Sequence, residues 1–180
     1  MVLSVLTLNK AAHLPGSISK YLQLSLRDQW LFAVTYVLLG LIRFSLLYFP
    51  FKMIAPRLGA QAKSAQPTSF PGTDSQELFC SLVRVIEQAG RHTPWQSRCL
   101  VQSVCLALFL IMYRIPYALC IGMMPLTGPD KQKSMAAHAW VVAGEQIASW
   151  GSDHTEYIPV CRFVSRRIAI NTAPQFPTYL

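Results

Sequence analysis

Three side chains in this 180-residue sequence are of the types that nucleophilic acyl chemistry needs: the thiol of Cys99, the imidazole of His138 and the carboxylate of Asp153. A thiol becomes a nucleophile when a neighbouring imidazole takes its proton, and a cation beside it, here Arg98, favours the thiolate. A third group that fixes the imidazole tautomer, usually Asp or Asn, completes such a site. Asp153 comes after a strand-like run, from which a carboxylate can approach the other ring nitrogen of His138. As part of Gly151-Ser152-Asp153-His154 it also reads as a turn aspartate. Spacing alone leaves Cys99 open between a catalytic thiol and inert packing in an apolar helix.

The other cysteines read as packing. Cys105 lies six residues beyond Cys99, about 240° around a helix and so on a different face. Cys80, Cys120 and Cys161 fall in apolar or strand-like runs. Five cysteines without a CxxC pair argue against a disulfide framework. The N-terminal MVLSVLTLNKAAHLPGS lacks the basic start and long apolar centre of a secretory signal, so a reducing cytoplasm is expected. A metal set of Cys99, His138, Asp153 and His154 can be drawn, but it lacks the close pairs of zinc sites, and no metal or cofactor is expected. His13 sits in a loose N-terminal segment and His92 precedes a helix. Gln96 reads either as an oxyanion donor or as a capping residue. Trp95 and Trp140 read as site walls or as core aromatics.

These residues must be held by elements that the pattern announces. Ser25 with Asp28 resembles a capping box, and the apolar run after it ends at Pro50, which predicts a helix over 26–49. A short helix is expected over 51–58 and a linker over 60–72. Thr73 and Gln76 open an amphipathic helix over 74–89 that stops at Gly90. Thr93, Pro94 and Gln96 signal the start of a long buried helix reaching about Arg114. Counted from Pro94, Cys99 is its sixth residue, beyond the useful reach of the helix dipole. Tyr117 to Met123 reads as a strand, 125–135 as a loop, AHAWVVAGEQIASWG as a hairpin turning near Ala143-Gly144, and RFVSRRIAI as a last strand. Helices first and antiparallel strands afterwards predict an α+β fold, a long helix packed on an antiparallel sheet, with a boundary between regions 1–72 and 73–180.

Composition bounds what the chain does. Charged residues make up 13%, against about 25% in ordinary soluble domains, and hydrophobic residues 52%. Disorder, collagen and coiled coil are excluded. The mean hydropathy of +0.32 keeps a membrane or sticky surface in play. Most of the apolar excess lies between Trp30 and Phe51, yet Arg43 interrupts it. The uncharged stretch of 14 residues from Gln29 to Ile42 is short of the roughly 20 that a span needs, so a buried or interfacial helix is preferred to a true span. The net charge is +8, of which residues 1–72 carry +6. No nucleic-acid-binding signature accompanies it, so no nucleic-acid partner is expected and a membrane or peptide surface fits better.

RCLVQSVCLALFL with YALCIGM, then AHAWVV and GSDHTEYIPVCRF, resembles the stand-alone leader peptidases of lasso-peptide biosynthesis, members of the transglutaminase-like, papain-related superfamily. The resemblance covers roughly residues 74–165. It implies a cysteine protease that removes the leader from a ribosomally made precursor peptide before an ATP-dependent cyclase closes the macrolactam. It further implies Cys99 as nucleophile, His138 as general base, and a separate leader-recognition protein as partner. The family acid often falls about a dozen residues after the histidine. That position is Trp150 here, so either Asp153 serves or a dyad works with water or a carbonyl orienting the ring. A transglutaminase-like acyltransferase or amidase on the same Cys-His pair is the alternative enzyme. A non-catalytic membrane-associated scaffold anchored by 26–49 is the alternative outside enzymes. The basic, apolar N-terminal region is expected to dock a partner or the inner face of a membrane.

Overall fold

The computed structural model describes residues 26–62, 70, 72–95, 99–127, 133–151 and 153–165. The helices are α1 (Leu26–Tyr48), α2 (Phe51–Leu58), α3 (Thr73–His92) and α4 (Cys99–Met112). The strands are β1 (Ala60–Gln61), β2 (Ala118–Thr127), β3 (Lys133–Ala143), β4 (Gln146–Ser149) and β5 (Ile158–Val164), with a 3-10 turn at His154–Glu156. They form one sheet in the order β1-β5-β2-β3-β4, with every neighbouring pair antiparallel. This is the α+β class expected.

The sequence of α4, CLVQSVCLALFLIM, has no polar face, and such a helix must be covered on every side. Helices α1 and α3 cover it on one side and β3 on the other. Leu39 and Ile42 of α1, Leu58 of α2, Leu82 and Ile86 of α3, and Val141 of β3 join it in one core. Residues on both sides of position 72 therefore share a single core. Helix α1 contributes along one side only, and its other side stays exposed. By length and composition, Gln29–Tyr48 is also apolar enough to cross a membrane.

Several boundaries differ from the sequence expectation, each for a local reason. Gly90 does not end α3, which runs on to His92. The stop comes from Pro94, which forces Thr93 into an extended conformation. Thr73 is the first helical residue rather than the cap, and no side chain caps this end. Pro94 and Trp95 form a bend instead of the first turn of α4, whose described span starts at Cys99. Past Met112 the chain closes with Arg114 in the left-handed region (φ 59°) and Ile115 N–H donating to Leu110 O at 2.9 Å. The expected 125–135 loop is mostly strand, because β2 and β3 stay paired to Thr127 and Lys133, with Pro125 opposite Met135. The expected linker includes β1, which pairs with Phe163 and Val164. Strand β5 begins at Ile158 rather than Arg162, and its expected continuation to Ile170 lies outside the described residues. The hairpin turn falls at Gly144-Glu145, one residue beyond the expected Ala143-Gly144, with Gly144 at φ 53°, where a Cβ would meet the Phe70 ring at 2.7 Å.

Tyr117 is fully buried, and its hydroxyl donates to the carbonyl of Leu58, the last residue of α2. A helix-end carbonyl has no partner within its own helix, so this bond joins the N-terminal helices to the sheet. Burial pushes the phenol well above its ordinary pKa. Tyr117→Phe is expected to lower the unfolding free energy by about 1–3 kcal/mol. The reading is a reduced urea midpoint at unchanged slope.

Candidate active site

His138 sits on β3 opposite Gly122 of β2 and is 4% exposed. Strand alternation puts Trp140 on the same face, and Val141 on the opposite face that packs against the helices. The imidazole lies between Trp140 (centroids 6.1 Å, planes 19° apart) and Tyr157 (5.0 Å, 34°). Gly122 makes room for this stack. A Cβ there would lie 2.8 Å from the Trp140 ring and 2.9 Å from Tyr157 Cβ.

Strand β4 reaches β3 only as far as Trp140, which pairs with Ser149. Just beyond, Ser103 Oγ of α4 donates to Ala139 O at 3.0 Å. This buried bond draws the start of α4 to the uncovered edge of β3. Cys99, half-buried, and His138 consequently line one open cleft of about 470 Å³, together with Gln102, Trp150, Gly151 and Tyr157. Glu87 and Arg91 of α3, paired at 2.6 Å, stand at its rim. Cys99 is the first described residue of α4, and the expectation about its distance from the helix start turns on residues 96–98, which lie outside the described residues.

The third partner differs from the one expected. His138 Nε2 is 2.7 Å from Ser149 Oγ. Asp153 instead caps the 3-10 turn, where its Oδ1 accepts from Thr155 N–H at 3.0 Å and lies 3.5 Å from His154 Nδ1. The two Thr155 hydrogen bonds, more than the nearby His154, hold its carboxyl below the ordinary range. The structure thus places Cys99 and His138 on one cleft and leaves Asp153 facing solvent. Sequence reasoning misses Ser149, although the hairpin foretells it. A two-residue turn at Gly144-Glu145 pairs Trp140 with Ser149, and same-face cross-strand neighbours then include His138. Trp150, at the family acid position, is buried against the core and its indole Nε1 has no partner among the described residues.

Burial holds His138 below its ordinary pKa, and the charge of His154 adds to the effect. A neutral hydroxyl opposite Nε2 offers an imidazolium no anionic partner. The site therefore favours neutral imidazole. Cys105 is buried and its thiol is pushed up to about 12, and burial raises Cys120 as well. Cys161 accepts from Gln61 Nε2 at 3.6 Å. Trp95 packs on Tyr36 and Gly40 of α1, away from the cleft, and Trp140 is a core aromatic that stacks on His138 without lining the cleft. His92 bonds Gln88 O and edges onto Phe32, a structural role. Gln96 and Arg98, along with His13, lie outside the described residues. Among the described residues no group of three or more His, Cys, Asp or Glu is arranged to hold a metal, so the set Cys99, His138, Asp153 and His154 is not assembled.

Compared with known families, residues 45–162 match the model described as transglutaminase-like superfamily. No curated protein and no solved structure matches the chain.

This geometry has two measurable outcomes. Iodoacetamide at neutral pH is expected to label Cys99 on the order of 100-fold faster than Cys105, read by peptide mapping. Separately, because the folded pKa of His138 is depressed, the unfolded chain takes up the proton first as pH falls below about 6.5. The stability tied to neutral His138 is then present above that pH and lost as pH drops through the folded value. Urea midpoints measured between about pH 7.5 and 5.5 should fall less steeply for His138→Gln than for the parent.

Proposed function

The chain belongs to the transglutaminase-like superfamily, and from that premise we propose that it is a thiol peptidase that cuts the leader from a ribosomally made lasso-peptide precursor. The superfamily includes cysteine proteases and acyltransferases and is typically built around Cys-His-Asp. The observation that carries the reading is the shared cleft of Cys99 and His138, with the imidazole held by Ser149. An open cleft along the end of a sheet suits an extended peptide better than an enclosed small molecule.

In this reading neutral His138 takes the thiol proton as Cys99 Sγ bonds to the carbonyl carbon at the leader/core junction. The oxyanion forms beside the described start of α4, where the Gln102 amide, which lines the cleft, is a donor. His138 then passes its proton to the departing amine, the C–N bond breaks, and the leader remains as a thioester. Water, deprotonated by His138, attacks that thioester and the thiol is restored. Ser149 orients the ring without supplying charge, and Asp153 acts only through the turn that carries His154. A separate recognition protein grips the leader, and the ATP-dependent cyclase consumes the freed core.

The test is mass spectrometry of precursor and recognition protein incubated with the parent, Cys99→Ala, Ser149→Ala or Asp153→Ala. Cleavage is expected to vanish with Cys99→Ala, to fall on the order of tenfold or more with Ser149→Ala, and to change little with Asp153→Ala. Ser149→Asp should raise the His138 pKa and move the acid limb of kcat/KM to higher pH. Equal cleavage by parent and Cys99→Ala would sink the assignment. A product heavier by an added amine would make the enzyme an acyltransferase.

A further inference from the structure

Trp30, Val37, Leu41, Phe44 and Tyr48 of α1 are each between 55% and 69% exposed. At 100° per residue they fall within a strip about 60° wide and about 27 Å long. The residues that α1 buries, Thr35, Leu39 and Ile42, lie on the opposite side. The helix therefore has two apolar sides, of which the fold uses one. An exposed apolar strip of this length calls for an occupant.

We propose that this outer face of α1 seats the protein flat on an anionic lipid bilayer. Three observations choose that occupant, and none depends on the peptidase reading. The strip itself carries aromatic rings, Trp30, Phe44 and Tyr48 with exposed Phe49 beside it, along one face, as helices that lie in the headgroup boundary do. Charge is one-sided: residues 26–58 hold Arg27, Arg43, Lys52 and Arg57 against Asp28 alone, and Lys52 and Arg57 on α2 are exposed. A second copy related by a two-fold axis would set these like charges against each other, whereas an anionic leaflet neutralises them. The strip is also the convex surface of a single helix, which a fluid interface accommodates and a protein partner would have to meet with a groove. The same helix is long enough to span, but its inner side packs on α3 and α4. Crossing the bilayer would remove Leu39 and Ile42 from the core, so the helix lies in the interface plane.

The experiment is flotation of the full chain with vesicles of phosphatidylcholine alone or with about a quarter phosphatidylglycerol, at low and high salt. The parent is expected to float with the anionic vesicles, less at high salt, and to be released by alkaline carbonate. The double variant Leu41→Glu/Phe44→Glu, at exposed positions that leave the core untouched, should lower the partition coefficient on the order of tenfold. Lys52→Glu/Arg57→Glu should remove the preference for anionic vesicles. Ile158→Glu, at an exposed apolar residue of β5, is the control and should float like the parent. Circular dichroism confirms that each variant is folded. Failure of the parent to float, equal loss with Ile158→Glu, or resistance to carbonate would overturn the proposal. A lipid-free dimer dissociated by Leu41→Glu/Phe44→Glu would overturn it too and assign the face to a second copy.

Discussion

One buried hydrogen bond, Ser103 Oγ to Ala139 O, sets how far along β3 the first turn of α4 comes to rest. It spans two elements that otherwise touch through apolar side chains, which tolerate sliding because dispersion and burial have no preferred register. A hydrogen bond at 3.0 Å does not tolerate it, since a carbonyl left unpaired in this interior costs about 1–3 kcal/mol. Ser103 lies one turn past Cys99, and Ala139 is the next residue after His138. Fixing the one pair therefore fixes the other, and the Cys99 thiol and His138 imidazole inherit their relation across the cleft from a contact outside it.

Period and composition made the larger elements legible in the sequence. The buried helix, the hairpin turning at Gly144 and the helix ending at Pro50 all rest on local signals that tertiary packing reinforces. Helix starts are less legible, because Thr93-Pro94 satisfies the rules for beginning one helix as well as for ending another. Here the second role is the one seen, with Trp95 packed on Tyr36 and Gly40. The pairing of Cys99 with His138 is reached through the Arg-Cys-Leu and His-Ala-Trp-Val motifs rather than through spacing. A carboxylate is the usual orienter, and Asp153 follows the hairpin in sequence, but pleat and register put Ser149 against the ring instead.

That substitution of a hydroxyl for a carboxylate changes the electrostatics of the site. An anion opposite Nε2 would stabilise imidazolium and support a resting thiolate-imidazolium pair. Ser149 presents a neutral hydroxyl, and the aromatic stack with Trp140 and Tyr157 helps to bury the ring. The arrangement keeps His138 neutral, and on the peptidase reading the cost of charge separation then falls in the attack step.

Helix α1 connects this local chemistry to the unusual composition of the chain. A single apolar side on a 23-residue helix would have sufficed to cover α4, and a solvent-facing side of ordinary polarity would have brought the charged fraction nearer to that of other domains. The second apolar side adds nothing to the core, yet its aromatic rings and one-signed flanking charge match the chemistry of a headgroup boundary. Because the inner side of α1 is anchored to α3 and α4, whatever occupies the outer side is held at a fixed distance and orientation relative to the start of α4. The same packing that positions Cys99 would thus orient the cleft with respect to that surface.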